Sequence, residues 1–290
     1  MKKLLLVLLF VPLVSCSVKD GEIVEISLND NGEEIILIKD FDFENILVLL
    51  GVDDIVDGSI LKSEAEKVTE IDLLQNDGSR NPLYEKYMVN IKSLSGIGGF
   101  TNLQKFRLRD ASKIETADFS KNTKLTYLYI VNSNVEQVDL SGCTSLKTIF
   151  LDDNLISEID LEKNTLIEFL SLPMNPLKTF PDTSKMTYLE QIWVQRMNQN
   201  SSFKSIDISK NERLSQFYSA GNPSLVCVKI SQSQYDELNS FPGQGTNCVP
   251  KFDSESSCCC SCLTSAICDS STIRRFEKGE GVVFTTDNCN

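Results

Sequence analysis

The stretch Leu103-Gln104-Lys105-Phe106-Arg107-Leu108 decides the fold, because its spacing, apolar-x-x-apolar-x-apolar, returns five more times along the chain. Four full copies and one decayed copy begin at Leu125, Leu146, Ile167, Leu189 and Leu214. Successive copies start 22, 21, 21, 22 and 25 residues apart. A second phrase recurs in register with the first, since Ala117-Asp118-Phe119-Ser120-Lys121-Asn122 is matched at 138–143, 159–164 and 206–211.

A period slightly above twenty residues with this apolar phrase predicts a leucine-rich-repeat solenoid. Each unit supplies a strand, a turn near a polar residue (Asn154, Asn175 or Asn222) and a second extended segment. One unit cannot bury its apolar face alone, so neighbouring units must stack around a continuous core. Counting from the first residue of each copy, we expect offsets 0, 3 and 5 to point inward and offsets 2, 4 and 6 to line the concave face. The predicted fold is rich in strand, with a parallel concave sheet and little helix.

The second phrase, as in Ile206-Asp207-Ile208-Ser209-Lys210-Asn211, resembles the internalin-like leucine-rich repeats of bacterial surface lipoproteins. The likeness covers roughly residues 36–248. It implies a curved solenoid whose parallel sheet lines the concave face, and a function in binding proteins, glycans or cell surfaces. The fold alone does not specify the ligand, because function resides in sites that are grafted on folds.

The overall composition excludes several classes of function. The chain of 290 residues has a formal net charge of -13, which opposes nucleic-acid binding because that requires a basic patch. It contains no histidine, so Ser-His-Asp and Cys-His nucleophiles and histidine-bearing metal sites are all impossible. An enzyme that uses two carboxylates is not excluded by this composition.

The N-terminal sequence indicates an export signal. A basic start, Met1-Lys2-Lys3, precedes an apolar run from Leu4 to Leu13 and the sequence Leu13-Val14-Ser15-Cys16. The run is too short to span a membrane and is typical of a signal peptide, here residues 1–15. The small residue before cysteine resembles a lipobox, which implies an acylated Cys16 and a tether over residues 16–22. The chain would then contact the outer membrane or cell surface of a bacterium through this lipid only; an ordinary secretory signal is the alternative.

Residues 23–65 are predicted to form an N-terminal cap. An alternating segment turns at Asn29-Asp30-Asn31-Gly32, which favours a β-hairpin. A short helix is expected over Phe43–Leu50, capped by Asp42 and ended by Gly51.

The same cap contains a degenerate EF-hand-like loop. Asp53, Asp57, Ser59 and Glu64 occupy loop positions one, five, seven and twelve, and Gly58 occupies the turn position. Ile55 stands at position three, where a side-chain ligand belongs, so we expect weak calcium binding or a turn that is kept only for its shape. No other cofactor is expected.

The repeats are assigned to residues 66–232, and the C-terminal cap with a cysteine-rich segment to residues 233–290. The first repeat is irregular and carries an insertion, Gln75 to Asn90, and a second bulge spans Asn198 to Phe203. Insertions of this kind usually lie on one rim of a solenoid and contribute to binding.

Apart from Cys16, one cysteine lies within the repeats and the others lie at or beyond the end of the array. Cys143 occupies the position of Asn122, Asn164 and Asn211, which predicts a buried free thiol. The resemblance implies that Cys227 and Cys248 flank the end of the array as a disulfide. An exported chain favours disulfides, and the last six cysteines allow 15 pairings. The spacing Cys259-Cys260-Ser261-Cys262 also leaves a zinc or redox site open. The disulfide candidates are Cys227, Cys248, Cys258, Cys259, Cys260, Cys262, Cys268 and Cys289.

The outward offsets carry large aromatic residues where a solvent-facing sheet surface is polar by default. Trp, Tyr and Arg dominate binding hot spots, so this row is interpreted as the ligand surface, facing solvent. Aromatic residues that stack only to stabilise neighbouring strands are the alternative. The candidate ligand-binding residues are Arg107, Tyr127, Tyr129, Phe150, Phe169, Trp193 and Tyr218.

Two functions therefore follow from the sequence. The first is an envelope lipoprotein that binds a protein or glycan, without catalysis. The second is an envelope enzyme or metal-handling protein with its site in residues 250–290 or among the acidic residues. A hydrolase screen and a metal analysis of the C-terminal segment distinguish the two.

Lipid anchoring can be tested directly at Cys16. Substitution Cys16→Ser removes the thiol that would be acylated, so we expect loss of labelling by a fatty-acid analogue and accumulation of unprocessed precursor. Labelling of the variant at the level of the parent chain would show that the anchor is assigned wrongly.

Overall fold

The computed structural model describes residues 24–75, 78–79, 81–197, 201–240, 275–277 and 282–289. The predicted signal peptide, Cys16 and the tether lie outside these residues, as do Cys248, Cys258, Cys259, Cys260, Cys262 and Cys268. None of the helices in these ranges is long and apolar enough to cross a membrane.

The N-terminal part begins with a small antiparallel sheet. Strands β1 (Ile26–Leu28) and β2 (Glu34–Leu37) form the hairpin that the turn sequence predicts. Helix α1 (Phe41–Leu49) follows, and β3 (Ser59–Leu61) adds to the other side of β2. Gly51 adopts φ 69° just after the helix, which is a conformation that glycine allows without a Cβ clash.

The predicted cap of α1 is wrong, because Asp40 and not Asp42 caps the helix. The Phe43 backbone N–H donates to Asp40 Oδ1 at 2.9 Å. The other oxygen, Asp40 Oδ2, accepts from the Lys92 N–H at 2.8 Å and the Ser93 N–H at 3.1 Å. Asp40 therefore both starts the helix and ties the cap to the first repeats, a long-range contact that local spacing does not reveal.

The remaining elements follow in chain order. They are α2 (Lys62–Ala65), β4 (Glu70–Asp72), α3 (Pro82–Met88), β5 (Lys105–Arg109), β6 (Thr116–Asp118), β7 (Tyr127–Val131), β8 (Gln137–Asp139), β9 (Thr148–Phe150), β10 (Phe169–Ser171), β11 (Gln191–Trp193), β12 (Ser205–Asp207), β13 (Gln216–Tyr218), β14 (Cys227–Lys229), α4 (Gln232–Ser240), β15 (Arg275–Glu277) and β16 (Val283–Thr285).

The fold is the predicted leucine-rich-repeat solenoid. Its principal sheet has eight strands in the order β15-β13-β11-β10-β9-β7-β5-β4, and the pairs within it are parallel. The residues at offset 3 stand in register across six strands and are fully buried; they are Phe106, Leu128, Ile149, Leu170, Ile192 and Phe217. Offsets 0 and 5 are buried with them from Leu103 to Val194, so the core is continuous along the array.

The last turn of the solenoid comes from a remote part of the chain. Strands β15 and β16 pair in parallel with β13 and β14, although residues 241–274 separate them from α4 in sequence. Phe284 of β16 contacts Phe217 with ring centroids 6.4 Å apart. The sequence predicts no repeat here, because this turn lacks the apolar phrase at the regular period.

This last turn also corrects the disulfide that the resemblance implied. Cys227 is bonded to Cys289 and not to Cys248, with Cα atoms 5.9 Å apart. The pairing follows from the register, since Cys227 of β14 stands opposite Val283 of β16 and the chain beyond β16 brings Cys289 alongside. A covalent bond between residues 62 positions apart therefore fastens the end of the array.

Buried amide side chains connect the turns of the solenoid. Asn122, Asn164 and Asn211 are fully buried, and each donates its Nδ2–H groups to two backbone carbonyls of the preceding turn. Cys143 takes the same place in one repeat and is a buried free thiol, as predicted. Its Sγ–H donates to the Phe119 carbonyl at 3.1 Å, and burial raises the pKa of the thiol to about 12.

Gln234 of α4 completes this series in place of another asparagine. It is fully buried, and its Nε2–H donates to the Asn211 carbonyl at 2.9 Å and the Ile208 carbonyl at 3.4 Å. Its Oε1 accepts from the Ser231 N–H at 2.8 Å. Helix α4 thus closes the backbone hydrogen bonding of the repeat before it.

Each strand phrase is followed by a residue in the left-handed backbone conformation. Offset 7 adopts positive φ in all six copies, at Asp110, Asn132, Asp153, Met174, Arg196 and Gly221, with values from 51° to 74°. This conformation turns the chain from the concave sheet into the rim, and most L-residues adopt it at a cost of about 1 kcal/mol. Only the last copy uses glycine.

We expect Gln234→Leu to destabilise the protein by about 2 kcal/mol or more, because it leaves buried carbonyls and an N–H without partners at nearly constant volume. Gln232→Leu on the same helix is the matched control, since Gln232 is exposed and donates to Asp236 one turn further along α4. Its expected cost is within about 0.5 kcal/mol. Urea denaturation of both variants measures the difference, and equal midpoints would contradict a closing role for Gln234.

Candidate ligand-binding surface

The predicted ligand-binding residues lie on neighbouring strands of the concave sheet. Tyr129, Phe150, Trp193 and Tyr218 share the offset-4 column, and Tyr127 and Phe169 share the offset-2 column. Arg107 stands opposite Tyr129 on β5. The parallel register therefore brings residues from widely separated repeats onto one surface, which we call the aromatic row.

The rings of the aromatic row contact one another without a break. Phe150 lies at its centre, with ring centroids 6.0 Å from Tyr127, 5.5 Å from Tyr129 and 4.6 Å from Phe169. Phe169 contacts Trp193 at 5.1 Å, and Trp193 contacts Tyr218 at 5.8 Å, both edge to face. Tilted and edge-to-face pairs are the favourable arrangements for aromatic side chains.

A serine determines the path of the row. The offset-4 position of β10 is a serine, Ser171, so this strand offers no ring in that column. The serine is fully buried. Phe169 in the adjacent column contacts both Phe150 and Trp193 and bridges the gap. A small side chain at one position thus allows a larger one beside it to keep the row continuous.

The aromatic row is less exposed than predicted, since the sequence pattern places these side chains in solvent. Its aromatic residues are partly buried because each ring covers part of its neighbours. Trp193 Nε1 is buried and finds no hydrogen-bond acceptor among the described residues. Contacts between these rings therefore stabilise the neighbouring strands, as the alternative interpretation holds, whether or not the row binds a ligand.

A charged cluster bounds the row on its N-terminal side. Asp72 Oδ2 accepts from Arg107 Nη1 and from Lys105 Nζ, each at 2.9 Å, and Lys105 also contacts Glu70 at 2.7 Å. Burial would raise the pKa of Asp72, but these hydrogen bonds and one from the Leu74 N–H lower it. The Arg107 guanidinium lies 5.6 Å from the Tyr129 ring, so it joins the cluster to the aromatic row.

Asp152 is a functional candidate that the sequence analysis missed. It occupies offset 6 of the third copy, next to the row, and its Oδ1 is buried without a hydrogen-bond partner among the described residues. Burial raises the pKa of its carboxyl to about 6, and the nearby Asp153 carboxylate adds to this effect. Spacing could have placed Asp152 on the concave face, but an aspartate in an acidic chain gave no sign of its burial.

The predicted calcium ligands are not gathered around a cation site. Glu64 lies in α2 and pairs with Lys67 at 2.6 Å, while Asp57 Oδ1 accepts from the Ser59 N–H at 3.0 Å. In the part of the chain that the structure describes, no three His, Cys, Asp or Glu side chains are grouped to hold a metal ion. Weak calcium binding at this loop therefore stays an untested prediction.

A buried carboxylate holds that loop in place by accepting backbone hydrogen bonds from it. Glu44 of α1 is 2% exposed, and its Oε1 accepts from the N–H groups of Asp57 at 2.9 Å, Ser59 at 3.1 Å and Gly58 between them. Burial raises the pKa of Asp53, and the Glu44 and Asp57 carboxylates raise it further. Glu44 lies outside the loop sequence, so motif spacing gave no sign of this role.

Comparisons with known proteins assign no function to this chain. No protein-family model matches the chain, and no curated protein matches it. Among solved structures, internalin C2 from Listeria monocytogenes is 15% identical, with a TM-score of 0.40; the match covers 67% of this chain and 95% of that one. The functional domain of InlJ from Listeria monocytogenes, which includes a cysteine ladder, is 14% identical over 67% of this chain and 66% of its own, with a TM-score of 0.32.

A third match is the internalin InlF from Listeria monocytogenes. It is 18% identical, the match covers 67% of this chain and 63% of that one, and the TM-score is 0.38. Similarity at this level assigns neither a family nor a ligand to this chain.

The buried carboxyl of Asp152 gives a pH-dependent prediction. Its folded pKa of about 6 lies above its ordinary value of 3.8, so its contribution is most favourable below pH 4 and is lost as pH rises through 6. We expect Asp152→Asn to be more stable than the parent chain by up to about 2–3 kcal/mol at pH 7.5, with the difference disappearing near pH 4. Thermal unfolding across this pH range measures it, and a constant difference would contradict the burial of an ionised group.

Proposed function

We propose that this chain is a lipid-anchored recognition protein of the bacterial cell envelope, at the outer membrane or cell surface. It binds a protein or glycan ligand through the aromatic row and performs no catalysis. The observation that carries the proposal is the unbroken contact of rings from Tyr127 and Tyr129 to Tyr218 across five adjacent strands.

The chemistry of the row supports a binding role. Between β7 and β13, the offset-2 and offset-4 positions bear no charged side chain, although the chain as a whole has a net charge of -13. They pair large rings with the polar groups of Thr148, Gln191 and Gln216. Interface hot spots combine such partly buried aromatic anchors with a polar surround, and Tyr and Trp supply contact area at low entropic cost.

The charged cluster beside the row also supports a binding role. Arg107, Lys105 and Asp72 lie at the N-terminal end of the row, and the amides of Gln191 and Gln216 lie on its last two strands. A ligand across the strands would therefore meet both the rings and this charged cluster, which favours a ligand with complementary charge at that end. Anchoring through Cys16 adds membrane contact through lipid only.

Trp193 is the sharpest test, because it is the only tryptophan and lies between Phe169 and Tyr218. A ligand is first identified by pull-down or glycan array with the full chain. We expect Trp193→Ala to weaken its binding by at least about 2 kcal/mol, near thirtyfold in affinity. Loss of two ring contacts should lower stability by about 1–2 kcal/mol, whereas Leu170→Ala should cost about 2–5 kcal/mol through a core cavity.

Tyr188→Ala is the matched control for this test. Tyr188 is exposed, stacks beneath Arg213 at 5.4 Å and immediately precedes the fifth copy, outside the aromatic row. The proposal fails if Trp193→Ala folds and binds as the parent chain does, or if Tyr188→Ala weakens binding equally.

A further inference from the structure

Four polar side chains lie together on the concave sheet, in and beside the aromatic row. They occupy offsets 4 and 6 of three adjacent copies, and we call them the polar patch: Asp152, Ser171, Trp193 and Gln195. Ser171 stands in register with Trp193, and Gln195 follows Trp193 by two residues on the same face. Burial raises the pKa of the Asp152 carboxyl and the Ser171 hydroxyl opposes this rise, so those two side chains are close together. The patch therefore measures about 10 Å across the strands and about 7 Å along them.

Small residues form the floor of the polar patch. The fourth copy places Ser171 and Pro173 at its two concave positions, and both residues are buried. The third copy runs alongside this floor, because the Leu151 N–H donates to the Ser171 carbonyl at 3.0 Å and the Asp153 N–H donates to the Pro173 carbonyl at 2.9 Å. The copies on either side carry larger side chains at these positions, so the fourth copy forms a low point between them.

Each member of the polar patch has a buried polar atom that makes no hydrogen bond among the described residues. The atoms are Asp152 Oδ1, Ser171 Oγ, Trp193 Nε1 and Gln195 Oε1. Nine such side-chain atoms occur in the part of the chain that the structure describes, and four of them fall in this patch. A buried polar group without a partner destabilises a fold, so a concentration of four calls for an explanation other than stability.

These four atoms define the hydrogen bonding that a ligand must offer. The indole N–H of Trp193 only donates, the Asp152 carboxylate and Gln195 Oε1 only accept, and a serine hydroxyl does both. One ligand hydroxyl can therefore accept from the indole and donate to the carboxylate. Two neighbouring hydroxyls can serve both acceptors at once, which a peptide N–H, a peptide carbonyl or a single serine side chain cannot do.

A ligand can reach these atoms through side-chain rotation alone. Asp152, Trp193 and Gln195 are half-buried, so each of these side chains also borders solvent. The terminal torsions of carboxylates and carboxamides are broad, and rotation about either one brings an oxygen atom to the surface. The backbone and the rings of the aromatic row keep their places during this change.

We propose that the polar patch is a carbohydrate subsite, which binds a pyranose through two neighbouring hydroxyl groups. The inference rests on the proposed binding role of the aromatic row and selects a glycan as its ligand. The C–H face of the pyranose packs on the uncovered parts of Phe150 and Trp193, while its hydroxyls meet Asp152 and Gln195. The absence of charged side chains at offsets 2 and 4 between β7 and β13 suits an uncharged sugar.

The probes are the methyl glycosides of glucose, galactose, mannose and N-acetylglucosamine, each titrated into the full chain. Trp193 is the only tryptophan, so its fluorescence reports on this site. We expect at least one glycoside to shift the emission saturably, with a dissociation constant in the millimolar range, as a small ligand at one subsite allows. Cyclohexanol has a similar ring and one hydroxyl, and it should give no saturable shift because it leaves acceptors of the patch unpaired.

Two substitutions separate binding from folding. Gln195→Leu removes one acceptor and Asp152→Asn removes the charge of the other, so each should weaken glycoside binding about tenfold. Neither should lower the thermal midpoint at pH 7.5, because each changes a buried group that has no partner among the described residues. A residue that served the fold alone would show the reverse, with lower stability and unchanged affinity. Gln137→Leu is the matched control, since Gln137 is exposed on β8, outside the concave sheet, and it should leave affinity unchanged.

The inference is overturned if no glycoside gives a saturable shift, or if the affinity survives both Gln195→Leu and Asp152→Asn. It is also overturned if the ligand of the aromatic row is a protein whose binding Gln195→Leu leaves unchanged. Loss of that protein's binding in Trp193→Ala would then still support the proposed function, so the two proposals can fail separately.

Discussion

The stacking of each repeat on its neighbour is the interaction on which the rest of the structure depends. The offset-3 residues from Phe106 to Phe217 form one buried column, and no single turn could bury its own member. The same stacking brings buried carbonyls of one turn to the amide groups of Asn122, Asn164 and Asn211 in the next. Both ends must therefore be covered, by the hairpin and α1 at one end and by Gln234, β16 and the disulfide at the other.

Because the inward offsets hold the fold, the outward offsets are free to differ from repeat to repeat. The concave surface uses this freedom for a charged cluster around Asp72, then a neutral row of rings, with Asp152 half hidden beside it. The rings stabilise one another, and the faces that their neighbours leave uncovered are the ones we propose to contact a ligand. Trp193 illustrates the compromise, because its indole N–H is buried without an acceptor among the described residues while its ring contacts two others.

The rim shows how a single backbone requirement shapes chemistry. Offset 7 must be left-handed in every copy, and four of the six copies meet this need with aspartate, asparagine or glycine. Where Asp110, Asn132 and Asp153 follow one another, their polar side chains line one cavity of about 290 Å³. A residue preference that arises from backbone conformation thus concentrates polar side chains at one place.

The sequence by itself determined the solenoid, the inward columns, the concave aromatic residues and the buried thiol of Cys143. These all follow from periodicity, because stacking at constant spacing forces equivalent positions into equivalent environments. Contacts between residues far apart in sequence decided the rest. Asp40 as helix cap, Glu44 inside the loop at 57–59, Gln234 at the end of the amide series and the Cys227–Cys289 bond each join segments with no common pattern. The raised pKa of Asp152 belongs with them, since burial of one aspartate among many depends on which side chains surround it in three dimensions.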